Sequence, residues 1–296
     1  MAIPFPAETL NSLAAHARDH AGRFSLPLKD RNWRGGQGDF AGAGVGSSID
    51  FQDHRSYVAG DDPRHINWQA FARTGSYSLK LYREEVRPTV EILFDVSDSM
   101  FAEPEKGIRA IELFYFATAS AEKSGASTTV FLVKGDHWKP IEREAVLSHR
   151  WQDAAASLPS TTASASPNLA SLPLASHALR IFISDLLFPS SPEPIFRSLQ
   201  RGASRSMFLV PFSSAESAPE WSGNYEFIDT ESGIQHDRRI DQTLLDRYLA
   251  AYRSHFECWK TASLRSQAPL ARIPSGLSFE NAILREAIPS GAILLL

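Results

Sequence analysis

A single cysteine, Cys258, occurs in 296 residues. One thiol excludes an intramolecular disulfide and any multi-cysteine zinc site, and it fits a reducing compartment. Excess positive charge is also missing: 30 Lys and Arg stand against 34 Asp and Glu, a net charge of -4. With a pI near 6.1, the chain has no electrostatic footprint for nucleic acid or an anionic membrane surface. No apolar stretch approaches the roughly 20 residues of a membrane helix, and the tail AILLL is far shorter. The opening MAIPFPAETLNSLAAHARDH carries acidic residues and no basic leader, so it does not read as a signal peptide. A cytoplasmic protein without a membrane span is expected.

What is present is ordinary globular composition, 43% hydrophobic and 22% charged, in a length that suits one large domain with or without an appendage. Leu10, Leu13, Ala14 and Ala17 share one face of an N-terminal helix. The glycine-rich stretch RGGQGDFAGAGVGSS, residues 34–48, has no Lys-Ser or Lys-Thr pair after it and no apolar strand before it. It reads as a surface loop and not as a phosphate cradle.

From about Thr89 the pattern becomes apolar runs alternating with helical segments. The runs are VEILFDVS (90–97), TTVFLV (128–133), LRIFISD (179–185) and SMFLVPF (206–212). Short β-branched and aromatic runs, apolar on both faces, fit parallel strands covered by helices on both sides. Ile108, Ile111, Phe114, Tyr115 and Thr118 mark a helix between the first two runs. Residues 145–158 and 169–174 supply short helices before the third, and residues 192–199 connect the last pair. Leu245, Tyr248, Leu249, Tyr252, Phe256 and Trp259 form the clearest amphipathic helix, their aromatics a core stripe. His255 and Cys258 share a face of that helix and could form half a metal site, but no second Cys/His pair is in view. The alternation predicts an α/β fold with an open, mainly parallel sheet.

Two of the four runs end in aspartate, Asp95 and Asp185. In open α/β sheets the binding crevice lies outside the carboxyl ends of the strands, where strand order reverses. If the first and third runs are neighbours there, both carboxylates face one crevice, and the loop after Asp95 adds Ser97 and Ser99. Two carboxylates and two hydroxyls make an all-oxygen site suited to a hard cation such as Mg²⁺. Such an ion stays under-neutralised and seeks an outside anionic oxygen, for instance a carboxylate from a protein partner. Adhesion fits better than hydrolysis, since no nucleophile–base pair stands nearby. The same Ser-Asp-Ser pattern also serves as helix N-cap, so a scaffold whose serines only cap is an alternative. A phosphoryl-transfer hydrolase of the haloacid dehalogenase kind is another; it needs a second acid two residues after Asp95, where Ser97 stands.

Asp-Val-Ser-Asp-Ser at 95–99 resembles the metal-ion-dependent adhesion site (MIDAS) of von Willebrand factor A domains. Upstream, YVAGDDPRHINWQAFARTGSYSLKLYREE, residues 57–85, resembles the signature block of the bacterial family called domain of unknown function 58. The resemblance implies a von Willebrand factor A-like (Rossmann-like) open sheet with helices on both faces, plus an N-terminal extension carrying short strands. It implies Ser97 and Ser99 as direct ligands, with Asp95 and Asp185 acting directly or through water. It also implies a protein-interaction or adaptor role beside a MoxR-type AAA+ ATPase in assembling other proteins, without catalysis. The division expected is residues 1–86 for helix, glycine-rich loop and signature block, and 87–296 for the von Willebrand factor A-like domain. Adhesion sites add a threonine from a loop before the second aspartate. Here SASPNLASL puts Pro167 or Asn168 at that place, with Thr161, Thr162 or Ser166 as substitutes, which implies a weak or vestigial site. In the upstream block, Gly60 to Pro63 is expected to turn, Arg64 to pair with Asp61 or Asp62, and Trp68 and Phe71 to be buried.

Overall fold

The computed structural model describes residues 5–28, 51–82, 88–159, 166–230 and 233–296. The glycine-rich stretch, Thr161 and Thr162 lie outside these described residues. In chain order the elements are α1 (Ala7–His20), β1 (Phe24–Ser25), β2 (Phe51–Ser56), α2 (Trp68–Thr74), β3 (Ser78–Tyr82), β4 (Thr89–Asp95), α3 (Pro104–Lys123), β5 (Ser127–Lys134) and β6 (His137–Ile141). There follow α4 (Arg143–Leu147), α5 (Trp151–Ala156), β7 (Ala178–Ile183), α6 (Glu193–Gln200), β8 (Arg205–Phe212), α7 (Ser214–Ser217), β9 (Gly223–Ile228), β10 (Gln235–Ile240), α8 (Gln242–Arg265), β11 (Leu270–Pro274), α9 (Phe279–Ala282) and β12 (Leu294–Leu295).

Six strands form one sheet in the order β11-β8-β7-β4-β5-β6. All its neighbours run parallel except the edge pair β5–β6. The chain therefore has an open, mainly parallel α/β fold. The four apolar runs are β4, β5, β7 and β8. The order reverses between β4 and β7, which lie side by side with Glu91 opposite Arg180 and Phe94 opposite Ile183.

Alternation along β4 divides the core. Phe94 stacks on Phe114 of α3 at 4.6 Å, and Trp151 of α5 packs edge-on against both rings. Leu93 points the other way, into a cluster with Phe131, Phe182, Phe196 of α6, Phe208 and Trp259 of α8. Helices thus cover both faces, as continuous apolar strands require.

Helix α1 belongs to this body: residues 1–29 and 88–296 form one compact unit, and 30–87 form a second. The sequence division at residue 86 puts α1 with the signature block; its buried Leu10, Leu13 and Ala17 instead lie against α3. His149 bridges the Tyr115 hydroxyl of α3 (2.6 Å) and Asn11 of α1 (2.9 Å). Leu26 N donates to Ser120 Oγ at 3.1 Å.

The described residues of the second unit form the antiparallel pair β2–β3 with α2 between them in sequence. Gly60 takes a φ of +113°, and Asp62 accepts from Arg64 N at 2.9 Å to cap a 3-10 turn over Pro63–His65. Arg64 pairs with Asp62, while Asp61 takes Arg55 at 2.6 Å. Trp68 is 59% exposed and does not join a core, contrary to expectation. Phe71 is half-buried and stacks on Tyr77 at 4.4 Å. Among the described residues of this unit, the seven-residue α2 and the two strands do not cover the indole.

Candidate functional site

The apolar side chains that bury β4 and β7 also deliver their last residues to one crevice. Phe94 pairs with Ile183, so the next residues, Asp95 and Ser184, come together: Ser184 Oγ donates to Asp95 Oδ2 at 2.7 Å. Ser97 N donates to Asp95 Oδ1 at 3.0 Å, and the Ser97 and Ser99 hydroxyls stand 3.2 Å apart. Asp95 is buried, whereas Ser97 and Ser99 are half-buried. Burial, with the negative charge of Asp185 adding to it, pushes the Asp95 carboxyl up to about 6. Asp95, Ser97 and Ser99 thus share the reversal point with Ser184, and the charge of buried Asp185 acts on Asp95.

Asp185 is fixed on both oxygens. Leu187 N donates to Oδ1 at 3.1 Å, and Lys106 Nζ donates to Oδ2 at 3.0 Å. Leu186, between them, holds a left-handed φ of +57° although it is fully buried. That conformation costs a non-glycine residue about 1–3 kcal/mol. Packing of Leu186 in the Phe182–Trp259 cluster and acceptance by its carbonyl of a hydrogen bond from His255 at 2.8 Å hold it. His255 is thus engaged in the backbone of the site, while Cys258 is exposed on the same helix.

Three charged side chains here escape the sequence patterns. Lys106 lies in the first turn of α3, only 1% exposed, between Asp185 and Glu216 of α7. A cation at a helix N-terminus opposes the macrodipole, and burial disfavours it further. The two carboxylates outweigh burial and hold the Lys106 ammonium above its ordinary range. Glu216 arrives through a Ser213-x-x-Glu216 capping box just past β8. Burial raises its carboxyl despite the opposing lysine. The third is Lys134 at the end of β5, which donates to Asp98 at 2.9 Å. A strand followed by a Ser-x-x-Glu box is a signal that could have located Glu216. Nothing local marks Lys106.

Hard oxygen donors converge at Asp95, Ser97 and Ser99, so the residue types fit a hard divalent cation. No group of three or more His, Cys, Asp and Glu suited to a metal exists among the described residues, so such an ion would rest on few charges. At the place expected for a threonine ligand, Pro167 is buried and Asn168 is exposed, its N–H donating to Gly135 O at 3.1 Å. No helix among the described residues is long and apolar enough to cross a membrane.

No curated protein matches the chain. The crystal structure of the conserved hypothetical protein BatB from Bacteroides thetaiotaomicron is similar at 15% identity and a TM-score of 0.34, covering 69% of this chain and 98% of that one. The family model described as "Protein of unknown function DUF58" matches residues 53–257, a span that takes in the signature block, both strand-terminal aspartates and most of α8. The chain belongs to the DUF58 family.

Proposed function

We propose that the carboxyl end of the sheet is a non-catalytic protein-interaction site of the metal-ion-dependent adhesion type. A hard divalent cation such as Mg²⁺ would be held by Ser97, Ser99 and Asp95, with Asp185 behind them, and would take a carboxylate from a protein partner. The observation that carries this reading is the pairing of buried acids with half-buried hydroxyls at the point where strand order reverses. The order β11-β8-β7-β4-β5-β6 with one antiparallel edge supports a von Willebrand factor A-like arrangement. Hydrolysis is the poorer reading. A phosphoryl-transfer hydrolase needs a second acid two residues after its strand-terminal aspartate, and Ser97 stands there. A MoxR-type AAA+ ATPase is the partner that the family resemblance implies, with assembly of other proteins as the task.

The test is a thermal melt against Mg²⁺, joined to capture of the ATPase with and without chelator. Cation at about ten times its Kd stabilises by about 1.4 kcal/mol, a rise of a few degrees. We expect that rise in the wild type and its absence in Asp95→Ala/Ser97→Ala. We also expect chelator to release the partner. A cation-indifferent melt with chelator-resistant capture would reject the cation's part in the site.

A further inference from the structure

We infer that Lys106 is a built-in counter-charge that holds the divalent affinity of this site low; the inference rests on the cation reading above. Lys106 Nζ donates to Asp185 Oδ2 at 3.0 Å and to Glu216 Oε1, with 1% of its side chain exposed. It cannot leave for solvent without stranding buried Asp185 and half-buried Glu216. Asp95, Asp185 and Glu216 with Lys106 sum to a formal charge of -2, and removing the ammonium makes it -3. The Lys134–Asp98 pair adds nothing to this sum.

The lysine acts through Asp185, not by touching the ion. Its hydrogen bond engages one Asp185 oxygen while Leu187 N engages the other, so both oxygens already accept a donor with no metal present. A protein-supplied cation next to a divalent ion also repels it in a crevice of reduced dielectric. Both effects lower the affinity of the site for a free cation. They therefore favour an ion that binds well only when a partner adds a further carboxylate. Lys106 is in this sense a positioning residue that couples ion binding to partner binding.

The experiment is titration of the full chain with Mn²⁺ and with Mg²⁺ alone, followed by calorimetry. The proteins are the wild type, Lys106→Gln, and Lys106→Met as a second variant in case the amide does not fold. Lys106→Gln or Lys106→Met should bind either cation about 10- to 100-fold more tightly than the wild type. Adding Asp185→Asn should cancel most of that gain. A lysine with a merely structural role would lower stability without raising cation affinity. Equal affinity in wild type and both Lys106 variants overturns the inference and leaves the cation reading standing. An unchanged gain after Asp185→Asn also overturns it, because the lysine would then not act through Asp185. Absence of binding in every protein overturns both.

Discussion

Replacing Arg180 by methionine should cost about 3–5 kcal/mol, the loss expected when one partner of a buried ion pair is removed. Arg180 has no exposed surface, and its Nε donates to Glu91 Oε2 at 2.8 Å inside the sheet. Its remaining N–H groups donate to the carbonyls of Leu199 (2.9 Å), Arg201 (3.0 Å) and Ala175. The substitution strands a carboxylate whose other hydrogen bond comes from Ala175 N, and it leaves those carbonyls without these donors. Against a usual total stability of about 5–15 kcal/mol, that is a large share. Urea unfolding should show a lower midpoint with an unchanged slope. Glu91→Leu added to Arg180→Met should restore part of the loss, because the uncompensated charge disappears while the carbonyls stay unpaired. A loss under about 1 kcal/mol, or a double variant no better than the single one, would show that the pair carries little.

The same pair serves the site. Glu91 and Arg180 are opposite one another in register, and that register puts Asp95 level with Ser184. Sliding β7 by two residues keeps every face apolar but brings Phe182 or Leu186 opposite Asp95. The hydrophobic pattern does not distinguish these registers. A buried ion pair does, since only one register joins the charges.

This is also where the sequence stops being informative. The four central strands were legible because residues buried on both faces must be apolar throughout, and Ile92, Leu93 and Phe94 are. Strand-terminal Asp95 and Asp185 were legible for the opposite reason, as carboxylates where an apolar run ends. The edge strands were not. β6, HWKPI, is half-exposed and carries Pro140, which suits an edge strand, and β11 spans five residues shortly after α8. Helices read by apolar spacing pass over lysines, so Lys106 was invisible. Its burial depends on acids 79 and 110 residues away in the chain. Trp68 erred in the other direction: a large aromatic on a helix suggests a core, yet it stands exposed among the described residues.

The second large effect concerns Asp95 and reverses the usual sign for a carboxylate. Its pKa is about 6 in the folded protein against 3.8 ordinarily, raised by burial and by Asp185. The folded state therefore holds a proton that the unfolded state releases first. Without divalent cation, stability should fall as pH rises from about 4 to about 6 and then level off, a loss of up to ~3 kcal/mol from this group. Asp95→Asn removes the charge that burial penalises. An amide in this position can still accept from Ser97 N, though Ser184 loses its carboxylate acceptor, a cost of about 1–2 kcal/mol. Net stabilisation at pH 7.5 should be about 1–2 kcal/mol, and the slope between pH 4 and 6 should flatten. Urea titrations at pH 5 and pH 7.5 in chelator check both features. A residue kept as aspartate against this cost is explained if the negative charge is needed to hold a cation. The variant should accordingly lose the Mg²⁺-induced rise in melting temperature while being the more stable protein without metal. Should Asp95→Asn prove less stable than the wild type at pH 7.5 in chelator, the charge is already compensated inside the chain, and no cation is needed to account for it.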